Sequence, residues 1–305
     1  MNWRTLSPTP CELGESPFWH PTEQMLYWVD IDGRKIHRAD ARSAEVETWN
    51  MPLEPGCIAP AASGGLLIAL RDGMYRAPQW GGPLTLLQRF DYDPATARFN
   101  DGKADPLGRM WAGTIFEPRT APEAALYALD CRSGRSPEGQ RMAGNATVAN
   151  GLAWSPDGST VYWTDTTRAL IQAWDWDAQP NAMSGQRVFK QFDAKPADWS
   201  FETRQRYGGR PDGAAVDVQG NYWVAMFEGQ RILQLSPSGD ILAELRLPAQ
   251  CPTMPCFGGE DLRTLYVTTA RHGRSAQELA FFPESGCVFS LSVDVPGLPT
   301  NFFRD

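Results

Sequence analysis

The sequence is poor in what several large protein classes need. No run of Lys or Arg forms a stripe, and the formal net charge is −8. Nucleic-acid binders rest on basic surfaces, so that partner class is set aside. No stretch approaches the roughly 20 apolar residues of a membrane helix. Met1-Asn2-Trp3-Arg4 leads into no apolar segment of the signal-peptide kind. Histidine is scarce: His20, His37 and His272 lie far apart and give no HExxH spacing. There is no Gly-x-Ser-x-Gly elbow for a serine nucleophile, no P-loop and no Gly-x-Gly-x-x-Gly opening a helix. The six cysteines form no CxxC pair. In a chain of this length they read as reduced, buried thiols of a cytoplasmic protein.

What is present is glycine, proline and a repeat. The 28 Gly and 25 Pro are spread among short apolar runs, as in a fold of many strands and tight turns. A turn rich in Gly, Pro or Asp recurs before a strand with a large apolar pair. Pro21-Thr22-Glu23-Gln24 precedes Leu26-Tyr27-Trp28-Val29-Asp30, and Ser155-Pro156-Asp157-Gly158 precedes Val161-Tyr162-Trp163-Thr164-Asp165. Six copies are anchored on Trp28, Leu67, Trp111, Trp163, Trp223 and Val267. Their spacing suits four-stranded blades with variable outer loops, which predicts an all-β, six-bladed β-propeller occupying residues 1–305 as one domain. Residues 181–209 carry little of the repeat and read as a long excursion between blades. An open ring would leave two unpaired strand edges. Trp3-Arg4-Thr5-Leu6 is therefore expected to pair beside Cys287–Val293 as the outer strand of the sixth blade.

In a propeller, the residues leading into the strand nearest the axis crowd around one end of the channel. Counting back from the anchors, Glu15, Asn150 and Asp212 share this phase on three blades, and Asn100 and Asp101 share it on a fourth. Taken singly, each is what an Asx-turn or a strand entry provides. Together, two carboxylates and amide oxygens would converge without a cationic cluster, and a cation is needed to neutralise them. Oxygen donors suit calcium, magnesium or manganese.

These segments resemble the SMP-30/gluconolactonase family, also called the regucalcin family. The matching motifs run along nearly the whole chain: Leu13-Gly14-Glu15-Ser16-Pro17, Arg98-Phe99-Asn100-Asp101-Gly102-Lys103, Asn150-Gly151-Leu152-Ala153-Trp154-Ser155, Pro211-Asp212-Gly213 and Cys256-Phe257-Gly258-Gly259. The resemblance implies one divalent metal ion at the channel end, with zinc and iron among the alternatives, held by Glu15, Asn150 and Asp212. It implies that Arg98 and Asn100, with Glu117 nearby, face the hydroxyls of a sugar lactone. The implied reaction is hydrolysis of a glucono-, xylono-, arabinono- or galactonolactone to its aldonic acid, with Asp212 as the base. Two other readings keep the fold: a non-catalytic calcium- or protein-binding propeller, and a related propeller esterase. The Arg98-x-Asn100 pair favours a polyol substrate.

Overall fold

Alternation of apolar and polar residues over four to eight positions drives each repeat unit into antiparallel strands. The computed structural model describes residues 2–134, 136–203 and 206–305. It contains six four-stranded sheets, arranged as the blades of a propeller. The innermost strands are Gly14–His20, Pro55–Pro60, Ala97–Ala104, Ala149–Trp154, Arg210–Val216 and Pro252–Gly258. Almost every residue of these strands is buried, because both faces and the axial edge are covered.

The anchors lie one strand further out than the sequence reading placed them. Trp28, Trp111, Trp163 and Trp223 sit on the second strands, such as Met25–Asp30 and Met110–Phe116. There they fill the gaps between neighbouring blades; Trp111 and Trp163 pack with Trp154, Trp174 and Trp176. In two blades an Asp six residues earlier accepts the anchor's indole N–H: Asp105 from Trp111 at 3.0 Å and Asp217 from Trp223 at 2.9 Å. The same carboxylates accept turn N–H groups, which ties each turn to its anchor.

The excursion expected over 181–209 is only half one. Ala182–Gln191 is the outer strand of the fourth blade, paired with Leu170–Asp177. Its residues are mostly exposed, so no apolar alternation marked it in the sequence. The described residues beyond it lead on to the fifth blade, and Lys195 ties them to it by pairing with the buried Glu228 at 2.8 Å.

The ring closes with the N-terminal strand, Arg4–Ser7, antiparallel to Val288–Ser292 on the outside of the sixth sheet. Leu6 is buried at this seam with Cys11, Trp19, Trp28, Tyr266 and Val288. All six cysteines are unpaired and buried. The one α-helix among the described residues, Ala276–Phe281, starts at Ser275, whose hydroxyl caps Glu278 N–H. No helix there is long and apolar enough to cross a membrane.

The C-terminal segment crosses the far end of the channel. Gly297 bridges to Asp217 in the fifth blade and Phe303 to Ala61 in the second. Thr300 Oγ1 donates to Trp19 O, and Arg304 N–H donates to Gly108 O. Between this segment and the inner strands of all six blades lies a cavity of about 250 Å³.

Candidate active site

The feature that builds the site is a register break. Every innermost strand shifts register against its neighbour near its start, between Glu15 and Phe18, Pro55 and Cys57, Phe99 and Gly102, Asn150 and Ala153, Pro211 and Ala214, and Pro252 and Met254. A bulge re-aims the side chains around it. Glu15, Asn100, Asp101, Asn150 and Asp212 all stand at these breaks. They therefore lie on the innermost strands themselves rather than before them. At two breaks the backbone turns left-handed, at Ser16 (φ 48°) and Gly151 (φ 60°). Gly151 suits its place doubly, because a Cβ there would lie 2.3 Å from Tyr222 Oη and 2.4 Å from Thr164 Oγ1.

Glu15, Asn150 and Asp212 are only 5%, 2% and 6% exposed, and they share one end of the axis with Asp101. Burial, and then the charges of Asp212 and Asp101, hold the Glu15 carboxyl well above the usual carboxylate range. Burial and then Asp101 do the same for Asp212, against the pull of Arg210. Among the described residues, Glu15 Oε2 accepts only the N–H of Ser16, at 3.1 Å. Asp101 Oδ2 accepts Leu152 N–H at 2.9 Å, while its Oδ1 is buried with no partner among the described residues. Burial raises the Asp101 pKa, opposed first by Lys103. The Glu15 and Asp212 carboxylates and the Asn150 amide oxygen are oxygen donors of the kind that a hard divalent ion takes.

An amide relay joins this cluster to the arginine beside it. Asn100 Nδ2 donates to Asn150 Oδ1 at 2.9 Å and to Ala149 O, and Asn100 Oδ1 accepts from Arg98 Nη1 at 2.9 Å. Asn150 Nδ2 donates to Thr166 Oγ1, and Thr166 in turn donates to Pro211 O beside Asp212. Arg98 is buried, which lowers its pKa, while Asp32 and Glu117 oppose that shift. Glu117 sits at the mouth, but its carboxylate is bidentate with Arg71, at 2.9 and 3.0 Å, and lies 3.5 Å from Arg98 Nε. As placed, it braces Arg98. His272 lies on the rim, 2.9 Å from Asp32. His20 and His37 lie away from the site.

Sequence reasoning passed over two groups. Lys103, two residues after Asp101, turns down the channel and donates to Ala214 O. Cys11, Asp30 and His37 place one donor atom each within 4.8 Å of one another in the first blade. These atoms are already engaged. Asp30 accepts the N–H groups of Glu12, Leu13 and Gly33, Cys11 accepts from Trp28, and His37 Nδ1 meets Thr48 Oγ1. They brace the blade turn.

The chain matches the family model described as the SMP-30/gluconolactonase/LRE-like region over residues 13–271. It belongs to that family. A relative from Pseudomonas putida named 6-deoxy-6-sulfogluconolactonase is 44% identical over 96% of this chain and 96% of its own length. Regucalcin of Danio rerio is 35% identical over 94% of this chain and 93% of its own. Among solved structures, a calcium-binding protein, regucalcin, from Agrobacterium tumefaciens superposes with a TM-score of 0.89 at 26% identity, covering 100% of this chain and 98% of that one.

Proposed function

We propose that the chain is a hydrolase of the sugar-lactonase type, opening an aldonolactone to its aldonic acid with one divalent cation held by Glu15, Asn150 and Asp212. The observation that carries this reading is the convergence of two buried carboxylates and an amide oxygen at one end of the axis, tied through Asn100 to Arg98. Kinship with a sulfogluconolactonase supports it. When bound, such an ion neutralises the carboxylates and acts as a Lewis acid toward an ester carbonyl.

The chain's own residues supply the rest. Asp212 accepts the proton of the water that adds to the carbonyl carbon. The bond from that carbon to the ring oxygen then breaks, and the proton passes to the departing oxygen, which becomes a hydroxyl. Arg98 and Asn100 orient the sugar hydroxyls. Among the described residues no hydrogen bond engages Arg98 Nη2, and Asn100 Oδ1 keeps a lone pair beyond the one given to Arg98. Glu117 fixes the direction of Arg98 from behind. No covalent enzyme intermediate is required, in keeping with the lack of a nucleophile motif.

The test is acid release from a panel of glucono-, xylono-, arabinono- and galactonolactones and an aryl ester, using chelated protein with calcium, magnesium, manganese, zinc or iron(II) returned singly. Metal-restored hydrolysis of sugar lactones above the ester is expected. Faster ester cleavage would favour the esterase reading. Metal-dependent melting without acid release would leave a binding propeller and sink the catalytic reading.

A further inference from the structure

We propose that Thr166 is a positioning residue for the cation site: its hydroxyl fixes which end of the Asn150 amide is offered to the ion and steadies the backbone that presents Asp212. The inference rests on the cation site of the proposed function and names a residue outside the ligand set on which that site depends.

Thr166 opens the turn between Thr160–Asp165 and Leu170–Asp177 of the fourth blade. The blade holds its backbone on both sides. Thr166 N–H donates to Val148 O at 3.0 Å, and the Thr166 carbonyl accepts Ala169 N–H at 3.1 Å. The residue is buried. From this fixed backbone the side chain reaches two partners. Thr166 Oγ1 accepts from Asn150 Nδ2 at 2.8 Å within the blade and donates to Pro211 O at 2.7 Å in the fifth. A hydroxyl has a single proton to donate. Pro211 O can only accept, so that proton is committed, and toward Asn150 the hydroxyl can only accept.

The same restriction arrives from the other end. A guanidinium has donors and no acceptor. Arg98 Nη1 therefore sets Asn100 Oδ1 toward itself at 2.9 Å, which turns Asn100 Nδ2 to Asn150 Oδ1, also at 2.9 Å. From Arg98 to Pro211 every link runs in one direction: guanidinium to amide, amide to amide, amide to hydroxyl, hydroxyl to carbonyl. Turning the Asn150 amide over would set its NH2 against that of Asn100 and its oxygen against a hydroxyl with no proton left to give. Asn100, Asn150 and Thr166 are all buried, so water cannot repair either mismatch. Asn150 Oδ1 thus stays toward Asn100 with one lone pair beyond the one that Asn100 fills, and oxygen is the end of an amide that a hard cation takes.

The second bond of Thr166 acts on another ligand. Pro211, paired with Met226, is the last residue before the register break in Arg210–Val216. Its carbonyl belongs to the peptide bond that leads into Asp212. One hydroxyl therefore ties that peptide to the Asn150 amide across the boundary between two blades. Removing a partner that orients a metal ligand costs about 10–100-fold in metal affinity or activity.

The experiment titrates calcium, magnesium, manganese, zinc and iron(II) calorimetrically into chelator-stripped wild type, Thr166→Val and Thr166→Ser. Valine keeps the shape of the side chain and removes the hydroxyl; serine keeps the hydroxyl. Thr166→Val should raise the Kd of the tightest ion by about ten-fold or more, and Thr166→Ser should return most of the affinity. Cooperative melting in chelator shows that folded protein is titrated, and Thr166→Ala replaces Thr166→Val if the added methyl prevents folding. An equal Kd in wild type and the variant without the hydroxyl, or affinity lost as fully in Thr166→Ser, overturns the role. A wild type that takes up none of the ions overturns it together with the cation site. The same proteins are then assayed for acid release from gluconolactone. Ion affinity that depends on the hydroxyl with no lactone opened removes the lactonase reading and keeps the role of Thr166. Metal-restored hydrolysis with one Kd for wild type and Thr166→Val does the reverse.

Discussion

Asp212→Asn should raise the stability of the metal-free protein while abolishing its stabilisation by metal. The variant keeps the shape of the side chain and removes one of three carboxylates buried together with Glu15 and Asp101. Repulsion between like charges in near contact is on the order of 1–4 kcal/mol at an effective dielectric of ~20. Relief of ~1–3 kcal/mol corresponds to a rise of roughly 2–6 °C in Tm at about 2 °C per kcal/mol for a chain of this size. The sign with pH follows from the raised carboxyl pKa values. The folded apoprotein holds its protons more tightly than the unfolded chain, so it loses stability as pH rises above the ordinary carboxylate range. The advantage of the variant therefore widens from pH 5 to pH 8. Wild-type protein with free ion at one hundred times Kd should gain about 2.7 kcal/mol, or ~5 °C, and the variant none of it. Scanning calorimetry of chelated protein, with and without returned ion, reads both effects. A variant that melts below wild type in chelator refutes the repulsion argument. One that keeps the metal increment refutes Asp212 as a ligand.

Two predictions concern the scaffold. Leu6→Ala opens a cavity at the seam between the sixth and first blades and should cost ~2–4 kcal/mol, lowering Tm by ~4–8 °C; an unchanged melt would mean the ring does not depend on its N-terminal strand. His37 is stacked on Trp28 at 5.2 Å, and burial lowers its pKa to about 4. Full stability is therefore present above the unfolded value near 6.5 and falls by ~3 kcal/mol as pH drops toward 4. Urea unfolding of His37→Gln at pH 7 and pH 4.5 should lack that decline, and an identical decline in both proteins would assign it elsewhere.

The anchors were legible because second strands fill the space between blades and so demand large apolar residues at a fixed phase. Glu15, Asn150 and Asp212 were legible for a related reason: each innermost strand breaks register at the same step, so equal phase means equal place. The outer strand Ala182–Gln191 was not legible, because water covers most of it and nothing selects for alternation. Contacts between distant segments were equally hidden. The bidentate grip of Glu117 on Arg71 has no signature in local spacing. The roles assigned to the site residues rest on their convergence, which spacing alone could suggest only through the repeat.

The segment laid across the far end of the channel covers the face of the ring away from the site. Residues 298–301 and the inner strands line the space beneath it, so under the proposed function lactone and acid share the mouth beside Arg98. Ring opening creates a carboxylate that the arriving molecule did not carry. The departing acid thus leaves against one more attraction than its precursor met on entry, and the rim that favours capture is the same rim that slows exit. Under the proposed function, turnover is a balance between these two passages.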